Sequence, residues 1–441
     1  MADARRLRST VRRRARAATL LAAAIALVAL AACGGDEPPE AAVTPAATAQ
    51  ASPTVTAQTT TSPSPAAAIT TPTGTPTPPG REFEDDELNT ARSLERNFPR
   101  LDLSRRAVSL AEIRPVIPRD AIPSIDEPRF LTLDEASDWL SAESPVIAFQ
   151  HNGEARAYPL QILTWHEIVN DVVGGEPVII TYCPLCNSAI AFSRLVNGEE
   201  RTFGVSGTLR RSDLIMYDRE TQTLWQQLTG EAIVGRDTGV VLEFLPAQLV
   251  SFEEFRAAFE DGVVLSRETG HSRNYGENPY VLYDSRDGTL FPVGEFSDQL
   301  SAKERVLTLE LGGETAAFPF SALSRLVVIE AEVGGEQVVA FWQPGQVSAL
   351  DDAFIVGSRN VGSAGAFSPF LDGERLRFEA REGAIVDIAT GSTWDVLGRA
   401  VGGPLAGAQL TPLVSGNHFW FAWAVFQPET RVILGSDGDR S

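Results

Sequence analysis

Apolar and polar positions first fall into a readable pattern near residue 146. Val146 to Gln150 reads as a short strand, Asn152-Gly153 supplies the signal for a tight hairpin turn, and Ala155 to Tyr158 reads as the return strand. Pro159 stands where a first helical residue tolerates a missing N–H. Ile162, Trp165, Val169 and Val172 then share one helical stripe, so a helix is expected up to Gly174-Gly175. Beyond it, Val178-Ile179-Ile180-Thr181-Tyr182 is a β-branched run, and Ala189 to Val196 and Arg201 to Val205 flank a turn at Asn197-Gly198. The predicted unit is a β-meander around one helix.

The same pattern returns 160 positions later. Gly153-Glu154-Ala155-Arg156-Ala157-Tyr158-Pro159-Leu160 is echoed by Gly313-Glu314-Thr315-Ala316-Ala317-Phe318-Pro319-Phe320, and Val173-Gly174-Gly175-Glu176 by Val333-Gly334-Gly335-Glu336. Further on, Asn197 to Phe203 matches Asp372 to Phe378, and Asp218 to Trp225 matches Asp387 to Trp394. An ordered series of this kind signals an internal repeat. The expected fold class is therefore α+β and β-rich, built of two tandem, diverged copies of one β-meander-plus-helix module, over residues 107–270 and 300–441.

The segments before the first module read differently. Seven arginines among the first sixteen residues precede an apolar and small-residue stretch from Ala17 to Ala32, which ends at Leu30-Ala31-Ala32-Cys33. Residues 1–32 are expected to be a lipoprotein signal peptide, with Cys33 as the lipidated residue. Residues 33–80, rich in Ala, Thr, Pro and Ser, cannot build a core and are expected to be a disordered stalk. The partner implied is a membrane reached through that lipid, with the folded part on the extracytoplasmic face. Without residues 1–32 the chain keeps 30 basic against 57 acidic side chains, a formal charge of −27. Such a surface repels nucleic acid, which is excluded as a partner. The charge does not identify a protein partner.

Candidate chemistry centres on Cys183-Pro184-Leu185-Cys186, at the end of a predicted strand. Four readings stand open for this pair: a thiol–disulfide redox couple, half of a zinc or copper site, a disulfide staple, and two inert buried thiols. Asn187 to Phe192 reads as strand, so no helix dipole is expected to activate Cys183; His166, Arg194 or Arg201 would have to do so. A metal would need His166 and a carboxylate, Glu167 or Asp171, to complete its shell. The second copy sharpens the choice, because Gln343, Gln346 and Leu326 stand where the first has Cys183, Cys186 and His166. The three residues are thus not required by the fold. They are expected to share one site in the first copy, with Asn170 one helical turn from His166.

Other features point to structural roles. Gly204-Val205-Ser206-Gly207-Thr208 lacks the last glycine of a nucleophile elbow and is read as a turn. Asp218 and Trp225 share a structural task with Asp387 and Trp394, although Trp225-Gln226-Gln227 would also suit a polar ligand. Asn274 to Tyr280 is read as a linker turn, and His151, His271 and His418 receive no role.

Several of these stretches resemble one family, the domain of unknown function DUF3179. They are Asp120 to Pro128, Ala157-Tyr158-Pro159-Leu160, Trp165-His166-Glu167-Ile168-Val169-Asn170-Asp171, Thr181-Tyr182-Cys183-Pro184-Leu185-Cys186, Phe203 to Gly207, Met216 to Arg219 and Leu224 to Gln227. The resemblance covers most of residues 107–441 and is more diffuse in the second half. It implies membership but no reaction.

Overall fold

The computed structural model describes residues 83–436. The segments expected to be a signal peptide with a lipidated Cys33 and a stalk lie outside them. Among the described residues no helix is long and apolar enough to cross a membrane.

Strands dominate and helices are short. In the first half, strand Pro145–His151 pairs with Glu154–Pro159 through the turn at Asn152 and Gly153, whose φ angles of +47° and +86° suit the Asn-Gly signal. Strand Ala247–Ser251 lies on the other side of Pro145–His151, and Val263–Leu265 runs parallel to Glu154–Pro159. A second sheet carries Ile168–Val173, Glu176–Cys183 and Ser188–Ser193 in antiparallel order. A third carries Phe203–Arg210, Asp213–Asp218, Leu224–Gln226 and Ala232–Val234.

The helix expected to reach Gly174 is the main correction. It spans only Leu160–His166, with Pro159 as its N-cap, because Glu167 takes φ +59° and turns the chain out of the helix. Ile168–Val173 continues as a strand in which Ile168 pairs with Thr181 and Val173 with Glu176. Its β-branched residues gain more from a buried sheet position than from a helix that restricts their χ1. Asn170 is therefore not one helical turn below His166. Likewise Gly204 to Thr208 is no turn but part of strand Phe203–Arg210, which bulges between Val205 and Thr208, where Gly207 has φ +75°.

Five consecutive elements of the first two sheets recur 160 residues on, each with the same length. Arg305–Leu311, Glu314–Pro319, helix Phe320–Leu326, Val328–Val333 and Glu336–Gln343 follow in the order and pairing of Pro145–His151 through Glu176–Cys183. Val327 occupies the position of Glu167 and also has a positive φ, +66°. The closing elements correspond too. Strand Ser415–Phe419, helix Trp420–Ala424 and the parallel strand Arg431–Val432 stand as Ala247–Ser251, Phe252–Ala258 and Val263–Leu265 do.

The halves share much of their core, although one cluster, with Leu309, Phe318, Ile329 and Ala340, lies wholly within the second. The largest apolar cluster joins Ile180, Tyr182 and Cys186 to Val306, Phe419 and Trp420, and a second joins Val146 and Val250 to Phe341 and Trp394. Burial of such aromatic side chains is the main force holding the halves together.

Candidate functional site

Two hairpin tips from different sheets meet beside the cysteines. The first is the turn Cys183–Cys186, closed by Cys186 N–H donating to the Cys183 carbonyl at 3.2 Å. A strand, Ser188–Ser193, follows it, as the sequence predicts. The second tip turns at Arg211 and Ser212, both with positive φ, and delivers Asp213 as the first residue of its strand. The ligating atoms of Cys183, Cys186 and Asp213 all lie within 4.8 Å of one another, and all three residues are buried. Both cysteines are free thiols.

Polar contacts fix this group. The Cys186 thiol donates to Asp213 Oδ1 at 3.1 Å, while Asp213 Oδ2 accepts from Gln226 Nε2 at 2.6 Å and from Leu228 N–H at 3.0 Å. The second half and the linker hold the cysteine turn from behind. Phe419 N–H donates to the Cys186 carbonyl at 2.8 Å, and the Tyr283 hydroxyl donates to the Leu185 carbonyl at 2.9 Å.

The electrostatics are one-sided. Burial pushes the Cys183 thiol up, and Asp213 and Glu167 add to that. Burial pushes Cys186 well up, with Cys183 and Asp213 contributing, and burial raises Asp213 itself. Glu167 is also buried, and desolvation followed by the nearby Asp213 pushes it up to about 8. Four acidic groups thus share one dry region with no arginine, lysine or histidine paired to them among the described residues. Such groups stay protonated unless a cation compensates them.

The other residues singled out in the sequence lie elsewhere. His166 is buried but outside the cysteine group; Nδ1–H donates to the Pro123 carbonyl and Nε2 accepts from the Tyr275 hydroxyl, each at 2.7 Å. Burial lowers its pKa to about 4, so it is a neutral clamp on the loop at Tyr275. Trp165 holds the same loop through Glu277 O at 3.3 Å. Asp171 accepts from Arg156 at 2.5 Å and from Tyr158 at 2.6 Å, and is thus engaged away from the thiols. Arg194 donates to the Val178, Asp171 and Arg201 carbonyls and pairs with Glu200, while Arg201 pairs with Glu199. Neither guanidinium is placed to activate a thiol.

Asp213 is the residue that sequence reasoning missed. Its one signal is an acidic residue directly after a turn and directly before the apolar run Leu214 to Tyr217. Gln226, noted as a polar-ligand candidate, instead orients Asp213. Asp218 and Asp387 make the same kind of contact: Trp225 Nε1–H donates to Asp218 at 3.0 Å and Trp394 Nε1–H to Asp387 at 3.3 Å. In the second half, Gln343 accepts from Val396 N–H and Gln346 from the Ser363 hydroxyl, so amides fill by hydrogen bonding the places of the thiols.

A buried dithiol–carboxylate group between two sheet hairpins, in a β-rich chain, defines the class of site. The chain belongs to the family described as protein of unknown function (DUF3179), whose model matches residues 119–430. No curated protein and no solved structure matches it.

Proposed function

We propose that the first half of this chain binds a transition metal through Cys183, Cys186 and Asp213. The observation that carries this reading is the approach of two thiols and a carboxyl to within 4.8 Å in a buried region without a basic partner. Two sulfurs and one oxygen suit zinc better than copper(I), which favours thiolates alone. Three protein ligands leave a fourth position for water or a substrate, the arrangement of catalytic rather than structural zinc. Thiol–disulfide exchange is less favoured, because the attacking species is a thiolate and burial here opposes its formation.

The matching element order and lengths of the two halves support descent from a duplicated module, in which one copy kept metal ligands and the other acquired Gln343 and Gln346. Export, with Cys33 lipidated and the domain tethered to a membrane, belongs to the same proposal and rests on the sequence of residues 1–33.

The test is metal content by mass spectrometry of protein purified without chelator, then titration of the metal-free protein with cobalt(II). Stoichiometric zinc and a sulfur-to-cobalt charge-transfer band, both lost in Cys183→Ser, are expected. Copper would change the metal assigned. Absence of any metal, together with a mass two hydrogens light that reductant restores, would replace the metal centre with a redox pair.

A further inference from the structure

Beside the metal group lies a cleft of about 40 Å³ lined by Ile117, Ile122, Leu185, Val205, Leu214 and Phe291. Leu185 lies between the two cysteines in sequence, and Leu214 follows Asp213, so the cleft abuts the ligand set. Its walls are apolar except for Glu167, Tyr280 and Thr208, whose hydroxyl is paired with that of Ser206 at 2.8 Å. Glu167 is 7% exposed and Tyr280 6%, yet neither the carboxyl nor the phenol hydroxyl has a hydrogen-bond partner among the described residues.

Neither group is sealed from the cleft, so the hydrogen-bonding capacity of both is open to whatever occupies it, and a ligand oxygen there would satisfy the two together. The backbone supports the same view. Glu167 sits at φ +59°, a strained conformation for a non-glycine residue, and the equivalent Val327 shows that the turn itself does not call for a carboxyl group. The carboxyl is an addition to the fold at this position, aimed into the cleft.

We infer that this cleft binds a small neutral molecule, an alcohol or carbonyl compound of three or four heavy atoms, whose oxygen is held by Glu167 and Tyr280. The volume sets the size, since about 10–15 Å³ of such space holds one water. The apolar walls set the rest, as they exclude an anion and offer nothing to a second polar group. The cleft stands apart from the metal reading, whereas the placement of the ligand's oxygen next to a metal rests on it.

Fluorine NMR of fluoroethanol, added to the protein with chelator present, tests the cleft without reference to the metal. Saturable line broadening displaced by propanol is expected. It weakens about five-fold in Tyr280→Phe, which loses one hydrogen bond, and vanishes in Ile117→Phe, which fills a half-buried wall. Broadening that does not saturate, or that is unchanged in both variants, overturns the inference. Repeating the titration on cobalt(II)-loaded protein separates the two proposals. Strong paramagnetic broadening places the ligand at the metal, while cobalt bound without that effect refutes the placement. Failure to bind cobalt refutes the metal centre and leaves the result with chelator standing.

Discussion

Asp213 accepts the Cys186 thiol at 3.1 Å, although the two residues stand on hairpins of different sheets. The contact brings a carboxyl into a buried dithiol. Asp213 also accepts from Gln226 and Leu228, so its position is fixed whether or not a metal is present.

Asp213→Asn tests that assignment without emptying the site. The amide keeps the size and one oxygen acceptor, and burial already favours the neutral carboxyl, so metal-free stability is expected to change by no more than about 1 kcal/mol. Zinc affinity should fall by at least about ten-fold because an amide oxygen is a poorer ligand than a carboxylate. Chelator competition reads the affinity and urea unfolding the stability.

Part of the acid sensitivity should trace to His166, alongside the fully buried His418, whose pKa burial lowers to about 3. The folded pKa of His166 is about 4 against the ordinary histidine value of 6.5, so the unfolded chain takes up the proton first. Its neutral-state stability is fully present above about pH 6.5 and is lost as pH falls towards 4, by an amount of order 3 kcal/mol. His166→Leu, which installs the residue found at 326, should flatten that part of the stability–pH curve at the cost of the Tyr275 hydroxyl's acceptor. Denaturation midpoints measured between pH 4 and pH 8 would show it.

The tryptophan–aspartate pairs should be structural in both halves. Asp218 accepts from Trp225 Nε1, Thr221 N and Thr221 Oγ1, and Asp387 accepts from Trp394 Nε1 and from Thr390 through its backbone and hydroxyl. Replacing either aspartate by alanine strands several buried or half-buried donors and is expected to cost about 2 kcal/mol or more in urea unfolding. Metal affinity should not change, and a loss in Asp218→Ala alone would argue for a part in the site.

Adjacent glycines should respond unequally. A Cβ at Gly174 would lie 2.5 Å from the His151 carbonyl oxygen, whereas at Gly175 it would meet nothing within 4 Å. Both have positive φ, so Gly175→Ala should cost about 1 kcal/mol and Gly174→Ala clearly more, as thermal unfolding would show.

The sequence alone determined what depends on local pattern. The hairpin at Asn152-Gly153, the strand through Tyr182 and the strand after Cys186 follow from turn residues and β-branched runs, which act over a few positions. The correspondence of the halves was legible because glycines, prolines and aromatics kept their spacing, and their substitution pattern drew notice to Cys183 and Cys186. Helix and strand periods could not be told apart over residues 162–173, where Ile162, Trp165, Val169 and Val172 suit one helical stripe and sheet pairing took residues 168–173 into a strand.

Only the tertiary structure decided which carboxyl meets the thiols. Glu167 and Asp171 are nearer His166 in sequence, but Asp171 is taken by Arg156 and Tyr158, and Asp213 arrives from a separate sheet. His166 differs between the halves as the cysteines do, yet its ring nitrogens are used by Pro123 and Tyr275. A shared pattern of substitution reports that residues serve what one half does and the other does not. Contact is set by the packing of sheets over long chain separations, which no local periodicity encodes.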